Sequence, residues 1–225
     1  MVFDTLRTGF PTAKITVHLN FGCENRCPAI VQKCEESKCE IASASTTHAD
    51  WIEWLVLKEE EPFWILDTDV IFYESVEDWK FEEALAGWRI PEWIDEFSNC
   101  LTKPRLHTSL LYLDPKKILE LKQKYLDTIT GSEFTPSPSL FRPLVVPAIP
   151  VNQFYDACSL LYTAIGGRAF APEQKDAYFH FNFGTIEDLV MPRISTRGEM
   201  AQSRICVVNN RESGRGMWLA QERYY

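Results

Sequence analysis

The 225-residue chain is 45% hydrophobic and 13% aromatic, enough apolar material for a full core and too much for a disordered chain. Its formal charge of −9 disfavours nonspecific attraction to nucleic acid or an anionic membrane, but leaves room for an anionic small molecule neutralised by a metal or a few arginines. No apolar run approaches the ~18 residues of a membrane span, and Met1–Arg7 lacks the layout of a signal peptide. The expectation is a soluble, cytoplasmic protein of one domain, residues 1–225, with residues 200–225 an irregular tail.

Val2–Arg7 reads as the end of an amphipathic helix closed by Gly9-Phe10-Pro11. An α/β domain ordinarily opens with a strand, so a first strand is expected to be missing from the start. Lys14–Leu19 is a β-branched strand, followed by a helix over Glu24–Ser37. Seven cysteines without a secretory context read as reduced thiols. Four of them, Cys23, Cys27, Cys34 and Cys39, cluster here, but their spacing lacks the paired C-x2-C knuckles of structural zinc sites. They are expected to be small buried hydrophobes. Glu40–Ala42 is a short strand, and Thr46–Asp50 caps a helix with Trp51, Trp54 and Leu55 on one face. Pro62 stops that helix, and Phe63–Leu66 is the next strand.

Trp88–Phe97 is acidic and aromatic, and Trp88, Trp93 and Phe97 recur at close to helical spacing. Arg105–Leu113 is a strand, and Asp114-Pro115 starts a basic helix through Tyr125. Ser132–Pro150 is a proline- and serine-rich loop, and a helix over Asn152–Ile165 ends at Gly166-Gly167. This alternation predicts an α/β layered domain with a largely parallel sheet, whose ligands sit beyond the carboxyl ends of its strands.

The run from Trp64 to Tyr73 carries the clearest chemical signal. It is an apolar run interrupted by Asp67-Thr68-Asp69, with two carboxylates at i and i+2 just after a strand. An unpaired charge out of water costs several kcal/mol, so acids in such a run point either to N-capping and turn formation or to a site where a cation compensates them.

Ile65-Leu66-Asp67-Thr68-Asp69-Val70-Ile71, followed by Ser75-Val76-Glu77-Asp78-Trp79, resembles the D-x-D segment of GT-A glycosyltransferases. Leu6–Val17 looks like the helix-loop-strand that follows the first strand of that fold. Tyr178–Thr185 is similar to the His…Gly segment that supplies a third metal ligand in many of these enzymes. The resemblance spans residues 3–190 and implies a Rossmann-like GT-A mixed sheet, mostly parallel, with helices on both faces. It also implies hexosyl transfer from a UDP- or GDP-sugar to an acceptor that the sequence does not specify. Mn²⁺ or Mg²⁺ would neutralise the departing diphosphate, held by Asp67, Asp69 and His180, with Asp69 the firmer ligand and both acids assigned to catalysis. His180, lying among Phe179, Phe181 and Phe183, reads equally as a packed core residue.

Some retaining members carry a lysine after the His…Gly pair; this chain has Glu187. Lys175, Arg193 and Arg197 are therefore the candidate cations for the diphosphate. His48, with Asp67, is placed toward the nucleotide, and His107, Ser109 and Trp88 toward the acceptor. Asp95, Glu96 and Asp188 are candidate general bases should the chemistry invert.

Two other readings compete. A haloacid-dehalogenase-like phosphatase would use Asp67 as nucleophile and Asp69 as general acid, with Thr108 or Ser109 on the phosphate and Glu187 and Asp188 as distal acids. Its motif would ordinarily lie on the opening strand, and Ile71 replaces the preferred Thr or Val. A non-catalytic nucleotide-binding or interaction module would show no turnover and no dependence on Asp69.

Overall fold

The computed structural model describes residues 2–20, 28–44, 47–67, 70–95, 100–129 and 139–180. The chain divides into two compact units. The first takes Met1–Ser45, Asp67–Trp79 and Glu173 onward, and the second takes Thr46–Leu66 and Lys80–Pro172.

In the first unit, helix α1 (Val2–Gly9) leads to β1 (Thr16–Asn20), α2 (Pro28–Glu36) and β2 (Glu40–Ala44). β1 and β2 pair in parallel, Thr16 opposite Glu40, the two strands joined through a helix as parallel neighbours require. The guanidinium of Arg7 donates to the carbonyls of Phe10, Ala13, Ser37 and Lys38, tying the end of α1 to the turn after α2. The chain re-enters this unit as β4 (Val70–Phe72), which pairs antiparallel with β12 (Tyr178–His180). Val70 and Phe72 are buried, as are Leu6, Phe10, Val76 and Tyr178.

In the second unit, α3 (His48–Lys58) precedes β3 (Phe63–Leu66). Strands β5 (Leu85–Ile90), β6 (Trp93–Asp95), β7 (Cys100–Thr102) and β8 (Arg105–Leu113) follow, then α4 (Pro115–Ile129). The rest is β9 (Leu144–Val146), β10 (Asn152–Tyr155), α5 (Ser159–Ile165) and β11 (Arg168–Ala169). A last helix, α6 (Pro172–Asp176), starts at the boundary between the units.

Two four-stranded sheets result, ordered β11-β5-β8-β3 and β6-β7-β10-β9. The long strand β8 organises the first through its alternation. Leu111 and Leu113 join Ile52, Val56, Ile65, Ile118 and Leu161 in the core that the helices cover. Tyr112 faces the other way, into an aromatic cluster with Trp64 and Phe81; Phe170 stacks on Phe81 in turn.

The architecture is α/β with small mixed sheets, as expected at the level of class; parallel pairs do not predominate among the described residues. Among the described residues, β1–β2, β7–β10 and β5–β11 are parallel. The pairs β3–β8, β5–β8, β6–β7, β9–β10 and β4–β12 are antiparallel. For two of the antiparallel pairs the cause is connection length: the links from β6 to β7 and from β9 to β10 are too short for the dozen or more residues of a parallel crossover.

Two local expectations also change. Asn152–Tyr155 is strand, with helix only from Ser159, because β7 and β9 pair with it on either side. Trp88 and Trp93 lie on the strands β5 and β6, each more than a third exposed. Trp54 is 45% exposed on α3, whose buried face is Ala49, Ile52, Leu55 and Val56. No helix among the described residues is long and apolar enough to cross a membrane.

Candidate functional site

Asp67 is the first residue after β3, where the chain passes from the second unit into the first. β4 resumes at Val70, and its antiparallel register sets His180 opposite Val70. The imidazole is thereby brought to the end of β4 that continues from the D-x-D segment. Asp67 Oδ2 and His180 Nε2 lie 4.0 Å apart, with the two side chains only 17% and 15% exposed.

That separation is too long for a hydrogen bond. It suits two donors on one ion: ligand atoms ~2.1 Å from a divalent cation are ~3 Å apart at right angles and ~4.2 Å apart when opposite. A carboxylate oxygen with an imidazole nitrogen is a donor set that Mn²⁺ accepts. Asp69, Glu96, Glu187, Asp188, Arg193 and Arg197 lie outside the described residues, as does the side chain of Asp95.

The strand that carries this pair is held on several sides. The amide of Phe72 donates to Thr5 Oγ1 at 3.0 Å. Beyond β4, the amides of Tyr73 and Glu74 donate to the Ala177 carbonyl at 2.8 and 3.2 Å, and Val76 N–H donates to Gly9 O at 2.9 Å. The Phe72 ring meets Phe10 edge-on at 5.4 Å and Tyr178 at 6.5 Å. Burial pushes the Tyr178 phenol well up, so it stays neutral. Nothing in the sequence marks Thr5 as a positioning residue, because a helical threonine supplying an acceptor to a distant strand leaves no local pattern.

Glu77, in the acidic segment after the motif, serves a turn. Its carboxylate accepts the Thr12 amide at 2.9 Å and the Thr12 hydroxyl, and these bonds hold its carboxyl below the usual range. Lys175 lies half-buried on α6.

The remaining candidates belong to the second unit. His48 opens α3 behind the N-cap Thr47, whose hydroxyl accepts the Asp50 amide at 3.2 Å. Its Nε2 is fully covered and has no hydrogen-bond partner among the described residues. Burial lowers its pKa, with the Asp156 carboxylate opposing the shift. His107 sits in a break in the β5–β8 ladder, where the register jumps from Gly87↔Leu111 to Arg89↔Leu106. Its Nδ1 accepts the Ser109 amide at 3.0 Å, which selects the tautomer with the proton on Nε2. Such bulges re-aim side chains out of a ladder. Ser109 itself is buried, whereas Trp88 presents an exposed ring. No protein-family model, curated protein or solved structure matches the chain.

Proposed function

We propose that the protein is a metal-dependent glycosyltransferase, moving a sugar from a UDP- or GDP-sugar to an acceptor, with Asp67, Asp69 and His180 as ligands of a Mn²⁺ or Mg²⁺ ion. The observation that carries this reading is the approach of His180 to Asp67 across the β4–β12 pairing. Packing among aromatic residues does not by itself account for a carboxylate of the D-x-D segment beside the imidazole. Bound there, a divalent cation supplies the positive charge that a departing nucleoside diphosphate requires. The reading includes a GT-A-like wound arrangement around the D-x-D strand, which the parallel β1–α2–β2 unit and the direct run of β3 into Asp67 support.

In this assignment Asp67 and Asp69 orient the diphosphate end of the donor, while Lys175 and Arg193 are assigned its remaining charge. His107 on its bulge and the exposed Trp88 ring are assigned to the acceptor.

Thermal unfolding of the full chain with Mn²⁺ and UDP or GDP tests the assignment. A ligand at one hundred times its Kd adds about 2.7 kcal/mol, or some 5–10 °C for a chain of this size at ~2–4 °C per kcal/mol. The shift is expected to need both Mn²⁺ and nucleotide, and to disappear in Asp69→Asn and His180→Ala. Asp69→Asn should also abolish sugar transfer. A shift with phosphate and Mg²⁺ alone, or full transfer by Asp69→Asn, overturns the assignment.

A further inference from the structure

Cys34 and Cys39 flank the turn that carries the chain from α2 into β2. The helix ends in a Schellman cap: Cys39 N–H donates to the Cys34 carbonyl at 2.8 Å, and Lys38 N–H to the Glu35 carbonyl at 3.0 Å. Lys38 takes φ 54°, the left-handed residue that this cap requires. The two cysteines therefore occupy the positions whose side chains meet across the motif.

The same hydrogen bond limits the separation of their α carbons. With Cα–O ~2.4 Å and N–Cα ~1.5 Å on either side of it, they lie at most ~6.7 Å apart, within the ~4.4–6.8 Å that a disulfide spans. Arg7 braces the turn through the Ser37 and Lys38 carbonyls at 3.0 and 2.9 Å. The Cys39 thiol reaches the Ser37 carbonyl at 3.7 Å, which keeps it over the turn. Cys34 is fully buried and Cys39 is half-buried.

We propose that Cys34 and Cys39 form a redox-active dithiol that closes into an intramolecular disulfide by exchange with low-molecular-weight disulfides such as oxidised glutathione. Cys39, the accessible thiol, attacks first as its thiolate. It forms a mixed disulfide and expels one glutathione thiolate, which takes up the proton that Cys39 gave to solvent. The Cys34 thiolate then attacks the Cys39 sulfur and expels the second glutathione. Two protein thiols are oxidised to one disulfide, and one small disulfide is reduced to two thiols.

Electrostatics set the pace. Burial pushes the Cys39 thiol up while Arg7 pulls it back, and burial together with Cys39 and Glu35 pushes Cys34 up to about 11. Both thiols are thus protonated near neutrality. Since the thiolate is the nucleophile, exchange should accelerate about tenfold per pH unit between 7 and 8.

The test uses the full reduced chain, incubated with oxidised glutathione, quenched with N-ethylmaleimide and digested with trypsin. Cleavage after Lys33, Lys38 and Lys58 separates the two cysteines. A closed pair therefore appears in mass spectra as residues 34–38 linked to residues 39–58. That species is expected to be the dominant protein disulfide. Cys34→Ser should trap glutathione on Cys39, and Cys39→Ser should leave Cys34 unmodified. Accumulation of glutathionylated Cys39 in the wild-type chain, its capture by Cys23 or Cys27, or no reaction of Cys39 at pH 8 overturns the proposal. These wild-type outcomes decide it even if a variant fails to fold.

Discussion

His48 shows how burial of one side chain makes stability depend on pH. Its Nε2 is covered and has no hydrogen-bond partner among the described residues, the Trp51 ring lies 5.7 Å away, and the Asp156 carboxylate only partly offsets the loss of water. The charged imidazole is therefore disfavoured in the folded chain, and its pKa falls below the unfolded value of 6.5. The sign follows from linkage: between the two values the unfolded chain binds more protons, so stability rises with pH across that window. The stabilisation is fully present above ~7 and is lost as the pH falls through 6.5 toward the lowered value. Urea midpoints should drop between pH 7.5 and 5.5 in the wild-type chain, and the drop should shrink in His48→Leu. Because Nε2 has no partner among the described residues, an apolar replacement gives up no hydrogen bond to them. His48→Leu should be no less stable than wild type at pH 7.5, and an equal acid drop in both chains would refute the reading.

At the scale of elements, the end of α1 against β4 decides how firmly the candidate metal ligands are placed. Gly9 is the last residue of α1, and a Cβ there would run into the Phe72 ring. Helical Gly→Ala substitutions ordinarily stabilise, by roughly 0.5–1 kcal/mol. Here the methyl group must displace a buried ring wedged between Phe10 and Tyr178, and overpacking of that kind costs about 1–3 kcal/mol. Clash should win: Gly9→Ala is expected to be destabilised by about 1–2 kcal/mol in urea. Its Mn²⁺-dependent thermal shift should also weaken, since Phe72 shares β4 with the strand end that faces His180. A neutral or stabilised variant would show that the helix does not press on β4.

Elements of this kind were legible in the sequence where one local signal sufficed. Asp114-Pro115 announces the start of α4, and the Asp114 carboxylate accepts the Lys117 amide at 3.2 Å as a cap should. The run Leu110–Leu113 announces β8. Asn152–Tyr155 was not legible, because its state is set by the distant partners β7 and β9 rather than by its own residues. Of the candidate site, the acids of the D-x-D run and His180 stand out by residue type. The register that brings Asp67 and His180 together is tertiary, and so is the support from Thr5.

The whole molecule is governed by its charge. A formal charge of −9 at pH 7 is spread over 32 acidic and 23 basic residues. Self-repulsion of that size opposes association between copies and disfavours nonspecific contact with polyanions. It also has a pH limit, since the sequence pI is about 5.0 and the repulsion vanishes there. Several large apolar side chains are exposed, among them Leu57, Ile94 and Ile149, and net charge opposes their association. Light scattering at fixed protein concentration should therefore rise sharply as the pH approaches 5 and fall again when the sample is returned promptly to pH 7.5. Protonation of His48 acts in the same direction but by opening the chain. The two causes separate in His48→Leu, which keeps the near-pI maximum in scattering while losing part of the acid drop in urea midpoint. A scattering maximum that vanished with His48 would mean that unfolding, and not loss of charge, drives association.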